Sequence, residues 1–167
     1  MGNILDKIYA DKKVELDGTK RTAPLAKIKE LCQSRKDVRD VAKALRRQPS
    51  GPTRIITEIK RRSPFKGDLR KDFDACSIAR IYAENGAAAI SVLTESNYFG
   101  GSLDVLIQTR DLVDIPLLRK DFIFSEYQVY ESLAFGADMF LLIATWLDKY
   151  QLADLLCQGK EIGLTAL

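Results

Sequence analysis

This chain of 167 residues contains no histidine. Its three cysteines, Cys32, Cys76 and Cys157, are widely spaced and form no CxxC pair, so a zinc site has few ligands to draw on and no metal is expected. Each cysteine falls in a helix-like pattern and reads as a small apolar side chain, which points to a reducing cytoplasm. No apolar run reaches the roughly 20 residues that a membrane-spanning helix needs, and no basic-then-apolar leader opens the chain. A net charge of +3 is too small to argue for a nucleic-acid partner. Basic residues of the first third, among them Lys12, Lys13, Lys20, Arg35, Arg39 and Arg46, alternate with apolar ones and read as a solvated helix face. A phosphate cradle is missing too: Arg61-Arg62-Ser63-Pro64-Phe65-Lys66-Gly67 is neither GxGxxG nor a Walker sequence.

What is present is a core-forming chain with two textures. The first 50 residues read as a helical extension. A short amphipathic helix is predicted over Ile4 to Lys13, with a polar break at Asp17-Gly18-Thr19. A longer helix is predicted from Pro24 to Arg47, interrupted between Ser34 and Asp37, and Gln48-Pro49-Ser50-Gly51-Pro52 ends it. Residues 51–167 alternate strand and helix. Strands are predicted at Arg54 to Lys60, Ala88 to Thr94, Pro116 to Lys120 and Met139 to Ile143, with Thr165-Ala166-Leu167 opening a fifth. Helices are predicted over Ala75 to Asn85, Ser102 to Val113, Ser125 to Phe135 and Asp148 to Ile162. Ser102 is placed as an N-cap, and Ser125 with Gln128 as a capping box. Gly86, Gly136 and Gly163 stand where helices give way to strands, as left-handed terminators would. Repeating βα units imply right-handed crossovers and parallel strands.

An α/β protein of this kind is either an open doubly wound sheet or part of a (β/α)₈ barrel. The strand ends favour the barrel. Glu58 and Lys60 lie two apart and so share one face of the first strand. Thr94 and Glu95 end the second strand, and Lys120 and Asp121 the third. Each alone reads as an ordinary surface residue; three in succession are the layout of a barrel whose functional groups gather at the C-terminal strand ends.

These residues carry a family resemblance. Ile56-Thr57-Glu58-Ile59-Lys60-Arg61-Arg62-Ser63-Pro64 with Lys66-Gly67 resembles the first-strand signature of indole-3-glycerol-phosphate synthases. Ser91-Val92-Leu93-Thr94-Glu95, Tyr98-Phe99-Gly100-Gly101-Ser102, Leu118-Arg119-Lys120-Asp121-Phe122-Ile123, Gly136-Ala137-Asp138 and Leu141-Leu142-Ile143 follow in the family's order. The resemblance implies a lyase of tryptophan biosynthesis that uses no metal or organic cofactor. Its phosphorylated small-molecule substrate, 1-(2-carboxyphenylamino)-1-deoxyribulose 5-phosphate, closes an indole ring with loss of CO₂ and water.

By the same resemblance Lys120 is the general acid, Glu58 the carboxylate that keeps it charged, and Lys60 a contact to the substrate's anions. Ser63 lies near the substrate carboxylate, Phe99, Phe122 and Leu141 hold the aromatic ring, and Ser91 supports the barrel. Phe65 departs from the family, which usually has a small residue there. The family's second catalytic Glu, on its fifth strand, and its phosphate site fall beyond Leu167. Four strands and the start of a fifth do not close a barrel, so the expectation is a half-barrel, inactive alone, that self-associates or pairs with a C-terminal half. A phosphoribosylanthranilate isomerase is a weaker alternative, because Arg119-Lys120-Asp121-Phe122 does not suit its catalytic pair.

Overall fold

In the computed structural model, which describes residues 4–35 and 37–167, three helices precede the first strand: α1 (Ile4–Thr22), α2 (Leu25–Gln33) and α3 (Val41–Leu45). The predicted break at Asp17-Gly18-Thr19 does not occur. Helix α1 runs through it, because Gly18 is exposed and costs only about 1 kcal/mol there, while Leu16 beside it is buried against Ile28 and Tyr127. The second predicted helix is two. Residues 34, 35 and 37–40 are not helical, and Asp40 starts α3 by accepting from the Lys43 backbone N–H at 2.8 Å. Of the predicted interruption, Lys36 lies outside the described residues.

The strand-helix series begins with β1 (Ile56–Ile59) and a small hairpin of β2 (Arg62–Ser63) and β3 (Gly67–Asp68). It continues through α4 (Ala75–Glu84), β4 (Ala89–Leu93), α5 (Leu103–Leu112), β5 (Leu117–Ile123), α6 (Glu126–Ala134) and β6 (Met139–Leu142). A 3₁₀ turn (Ala144–Trp146), α7 (Lys149–Glu161) and β7 (Thr165–Ala166) complete it. The first strand is shorter than predicted and the third, β5, runs three residues further. Ser102 caps α5 as expected, accepting from Val105 N–H at 3.2 Å. The capping box at Ser125 does not form: its side chain makes no cap bond, and Gln128 turns instead to the backbone of Phe122 and Phe124. Gly86, Gly136 and Gly163 do take positive φ at the helix ends.

One sheet has the order β1-β4-β5-β6-β7, and every pairing in it is parallel. With helices crossing over between successive strands, it is part of a (β/α)₈ barrel. Its central strands β4 and β5 are buried on both faces, which explains their near-continuous apolar runs. On the outer face Ile59, Ile90, Val92 and Leu117 pack against Ala75 and Ala79 of α4 and Leu106 of α5. On the inner face Ala89, Leu118 and Met139 are covered by Val41 and Leu45 of α3. Helix α3 thus floors the N-terminal ends of the strands. Helix α1 reaches their C-terminal ends, where Tyr9 meets Phe124 edge-on (centroids 4.8 Å apart) and Lys12 pairs with Asp121 at 3.2 Å.

Charge secures the floor. Buried Asp138 accepts from Arg110 at 2.7 and 2.8 Å, from Arg39 N–H at 2.8 Å and from Leu117 N–H at 2.8 Å. Arg110 also holds Asp37 at 2.7 Å. The connector between α2 and α3 is thereby tied to α5 and β5. Among the described residues no helix is long and apolar enough to cross a membrane.

Candidate active site

Parallel register sets the site. Glu58 lies beside Ser91 on the neighbouring strand, and Ser91 beside Leu118, so one row crosses three strands. Lys120 is two residues further along β5 on the same face, in register with Leu93. The Glu58 carboxylate meets Lys60 Nζ at 2.7 Å through one oxygen and Lys120 Nζ at 3.1 Å through the other. All three side chains are about one-third exposed, wet enough to admit a ligand and close enough to act on one another. Burial pushes the Glu58 carboxyl up, but hydrogen bonds from Lys60 and Lys120 outweigh it, and the group is held below the usual carboxylate range. Glu58 is therefore a stable anion that draws together Lys60, just past β1, and Lys120 of β5.

Beside this cluster Leu93, Phe99, the Lys120-Asp121-Phe122 segment, Leu141 and Ile143 line a cavity of about 60 Å³ with little polar surface. Phe99 and Phe122 lie 6.2 Å apart, and Phe122 stacks on Trp146 at 5.0 Å. Tyr9 from α1 backs Trp146 at 5.6 Å. Neither Trp146 nor Tyr9 was marked by the sequence. Their one available signal was that Trp146 is the sole tryptophan and follows a strand end.

The other candidates are less central. Ser91 is buried beside Glu58 with its hydroxyl unbonded among the described residues. Ser63 sits on the β2–β3 hairpin, outside the Glu58–Lys60–Lys120 cluster. That hairpin joins the site through its neighbour, Arg62 N–H donating to the Phe99 carbonyl at 3.1 Å. Phe65 projects from the hairpin tip and is 82% exposed, so its bulk meets no wall.

Not every strand-end charge faces the site. Buried Glu95 accepts from the backbone N–H groups of Asn97, Tyr98 and Phe99 at 2.7–3.0 Å and shapes their loop. Thr94 donates to Asp121 at 2.7 Å and both engage Arg119 rather than the Glu58–Lys60–Lys120 cluster.

A family profile described as indole-3-glycerol phosphate synthase matches residues 5–167. The chain belongs to that family. It is similar to the indole-3-glycerol phosphate synthase of Laribacter hongkongensis, with 46% identity over 168 residues and the whole of this chain covered. The corresponding enzyme of Verminephrobacter eiseniae is 45% identical over 172 residues, again across the whole chain. That of Campylobacter jejuni subsp. doylei is 47% identical over 165 residues, or 98% of the chain. In each case the chain spans 64% of the relative's length. The strand-end lysines and the aromatic row therefore sit in an indole-3-glycerol phosphate synthase scaffold that the relatives extend.

Proposed function

We propose that this chain carries the ring-closing half of an indole-3-glycerol phosphate synthase site, a lyase activity of tryptophan biosynthesis in the cytoplasm. The observation that carries this is the single carboxylate of Glu58 shared by Lys60 and Lys120. Ring closure requires an acid that polarises the substrate ketone while an aromatic carbon attacks it. Lys120, paired with the Glu58 carboxylate at 3.1 Å, is that acid. Lys60, a flexible point charge, meets the substrate's anionic groups. Phe99, Phe122 and Leu141 take the flat anthranilate ring, Ser63 lies toward its carboxylate, and Ser91 supports the barrel wall beside Glu58. Decarboxylation then restores aromaticity, and loss of hydroxide as water again needs a proton donor on this face.

The sheet's edges favour a second component of the reading. Among the described residues β1 pairs only with β4, and β7 only with β6. Ile55, Leu69 and Ile81 are exposed along the β1 side, where Glu58, Lys60, Phe73 and Tyr82 line a further cavity of about 260 Å³. Unpaired strand edges and apolar surface of this kind recruit partners. Turnover on this reading requires the part of the family sequence that this chain does not match, or a second copy that covers the edges. The experiment is conversion of the phosphorylated substrate by the purified chain, alone and mixed with a polypeptide supplying the remaining strands. Turnover only in the mixture is expected. Equal turnover by the chain alone would remove the need for a partner, and no turnover in either would remove the enzyme reading.

A further inference from the structure

We propose that Asp121 is a positioning residue for Lys120, acting through a bulge in β5; this rests on reading Lys120 as the site's acid. The pairing of β5 with β6 slips between Arg119 and Ile123: Arg119 faces Phe140 and Ile123 faces Leu142, so four steps on one strand match two on the other. Pairing with β4 stays regular up to Lys120. The irregularity therefore falls on Lys120, Asp121 and Phe122, two of which point into the candidate site. Bulges bend a strand and re-aim side chains, but they leave backbone groups without ladder partners.

Side chains supply those partners. The Asp121 carboxylate accepts from its neighbour's backbone, Phe122 N–H, at 2.9 Å. Gln128 of α6 donates to the Phe122 carbonyl at 2.8 Å and accepts from Phe124 N–H at 3.0 Å. Asp121 is itself fixed from three elements: Thr94 Oγ1 at 2.7 Å, Arg119 at 3.1 Å and Lys12 of α1 at 3.2 Å. Arg119 is buried and held in turn by Glu131 at 2.8 Å. A carboxylate held this way fixes the bulge, and the bulge directs Lys120 to Glu58.

The test reads that direction without substrate. A water-soluble carbodiimide activates Glu58, an amine in contact attacks, an amide forms and the reagent leaves as its urea. Peptide mass spectrometry then gives the ratio of the Glu58–Lys120 to the Glu58–Lys60 crosslink, the second pair being an internal control that does not involve β5. Asp121→Asn places a donor NH₂ against the Arg119 guanidinium, and the ratio is expected to fall at least fivefold with the Trp146 emission spectrum retained. An unchanged ratio, or a parallel loss of both crosslinks, overturns the proposal. If Asp121→Asn does not fold, Thr94→Val, which deletes one of the carboxylate's bonds, decides: a twofold or greater fall supports the proposal and an unchanged ratio overturns it. Because the ratio is read on the resting chain, failure of the enzyme reading shows only in the turnover assay.

Discussion

Glu58 and Lys120 come from different strands, separated by β4, and still meet at 3.1 Å. The contact depends on parallel register, which brings the two strand ends to one height, and on the Lys60 bond that fixes the other carboxylate oxygen.

That contact is sensitive to acid. The Glu58 carboxyl is held below its ordinary value in the folded chain, so the stability it contributes is complete above the unfolded carboxylate range and is lost as pH falls through the depressed folded value. Glu58→Gln should therefore lower the thermal midpoint at neutral pH, and the gap from the unsubstituted chain should shrink toward zero in strong acid. Thermal melts of both proteins from pH 7 downward check this; a gap independent of pH contradicts it.

Asp37 gives a second acid-sensitive contact, at the barrel floor. Burial pushes its carboxyl up, but Arg110 and Arg35 overcome this and bring it down to about 2. Its contribution is present above the unfolded value near 3.8 and disappears as pH falls through about 2. Because its side chain is largely exposed, solvent screening reduces the effect to roughly 1 kcal/mol. Denaturant titrations of Asp37→Asn should show that loss at pH 7 and only a small remnant of it near pH 2.

Two glycines should respond oppositely to the same substitution. A Cβ on Gly101 would lie 2.2 Å from the Leu93 carbonyl oxygen, so the loop carrying Phe99 approaches the end of β4 too closely for alanine. Gly101→Ala is expected to cost about 2 kcal/mol or more, the scale of forced overpacking. Gly18 lies within α1 with open space around it, and Gly18→Ala should stabilise by up to about 1 kcal/mol. Urea unfolding midpoints measure both.

Trp146 is the chain's only tryptophan, so its emission reports on the aromatic row alone. Tyr9→Ala removes the ring 5.6 Å away and opens Trp146 to water. A red shift and easier quenching by acrylamide are expected, with little change in far-UV circular dichroism. An unchanged spectrum would mean that Tyr9 does not shield the indole.

The sequence made much of this architecture legible, for identifiable reasons. Strand and helix order followed from apolar periodicity and from the glycines at helix ends, which are local signals. Asp17-Gly18-Thr19 reads locally as a break and is nonetheless helical, because burial of Leu16 and Ile28 outweighs a local glycine penalty. Glu58 and Lys60 stood out through their two-residue spacing, and Lys120 through its motif. Trp146 and Tyr9 did not, since their stacking joins segments far apart in the chain. Glu95 and Asp121 looked like site residues because charge at a strand end gives no indication of which face it takes. That is decided by Arg119 and by the backbone N–H groups that bind them.

The central claim is that Lys120, set against Glu58, is the acid that drives ring closure, and its direct measurement is single-turnover indole formation in the chain completed by the remaining strands. Lys120→Ala is expected to slow the chemical step by roughly 10²- to 10⁴-fold while substrate still binds. A rate within about threefold of the unsubstituted protein would contradict the account.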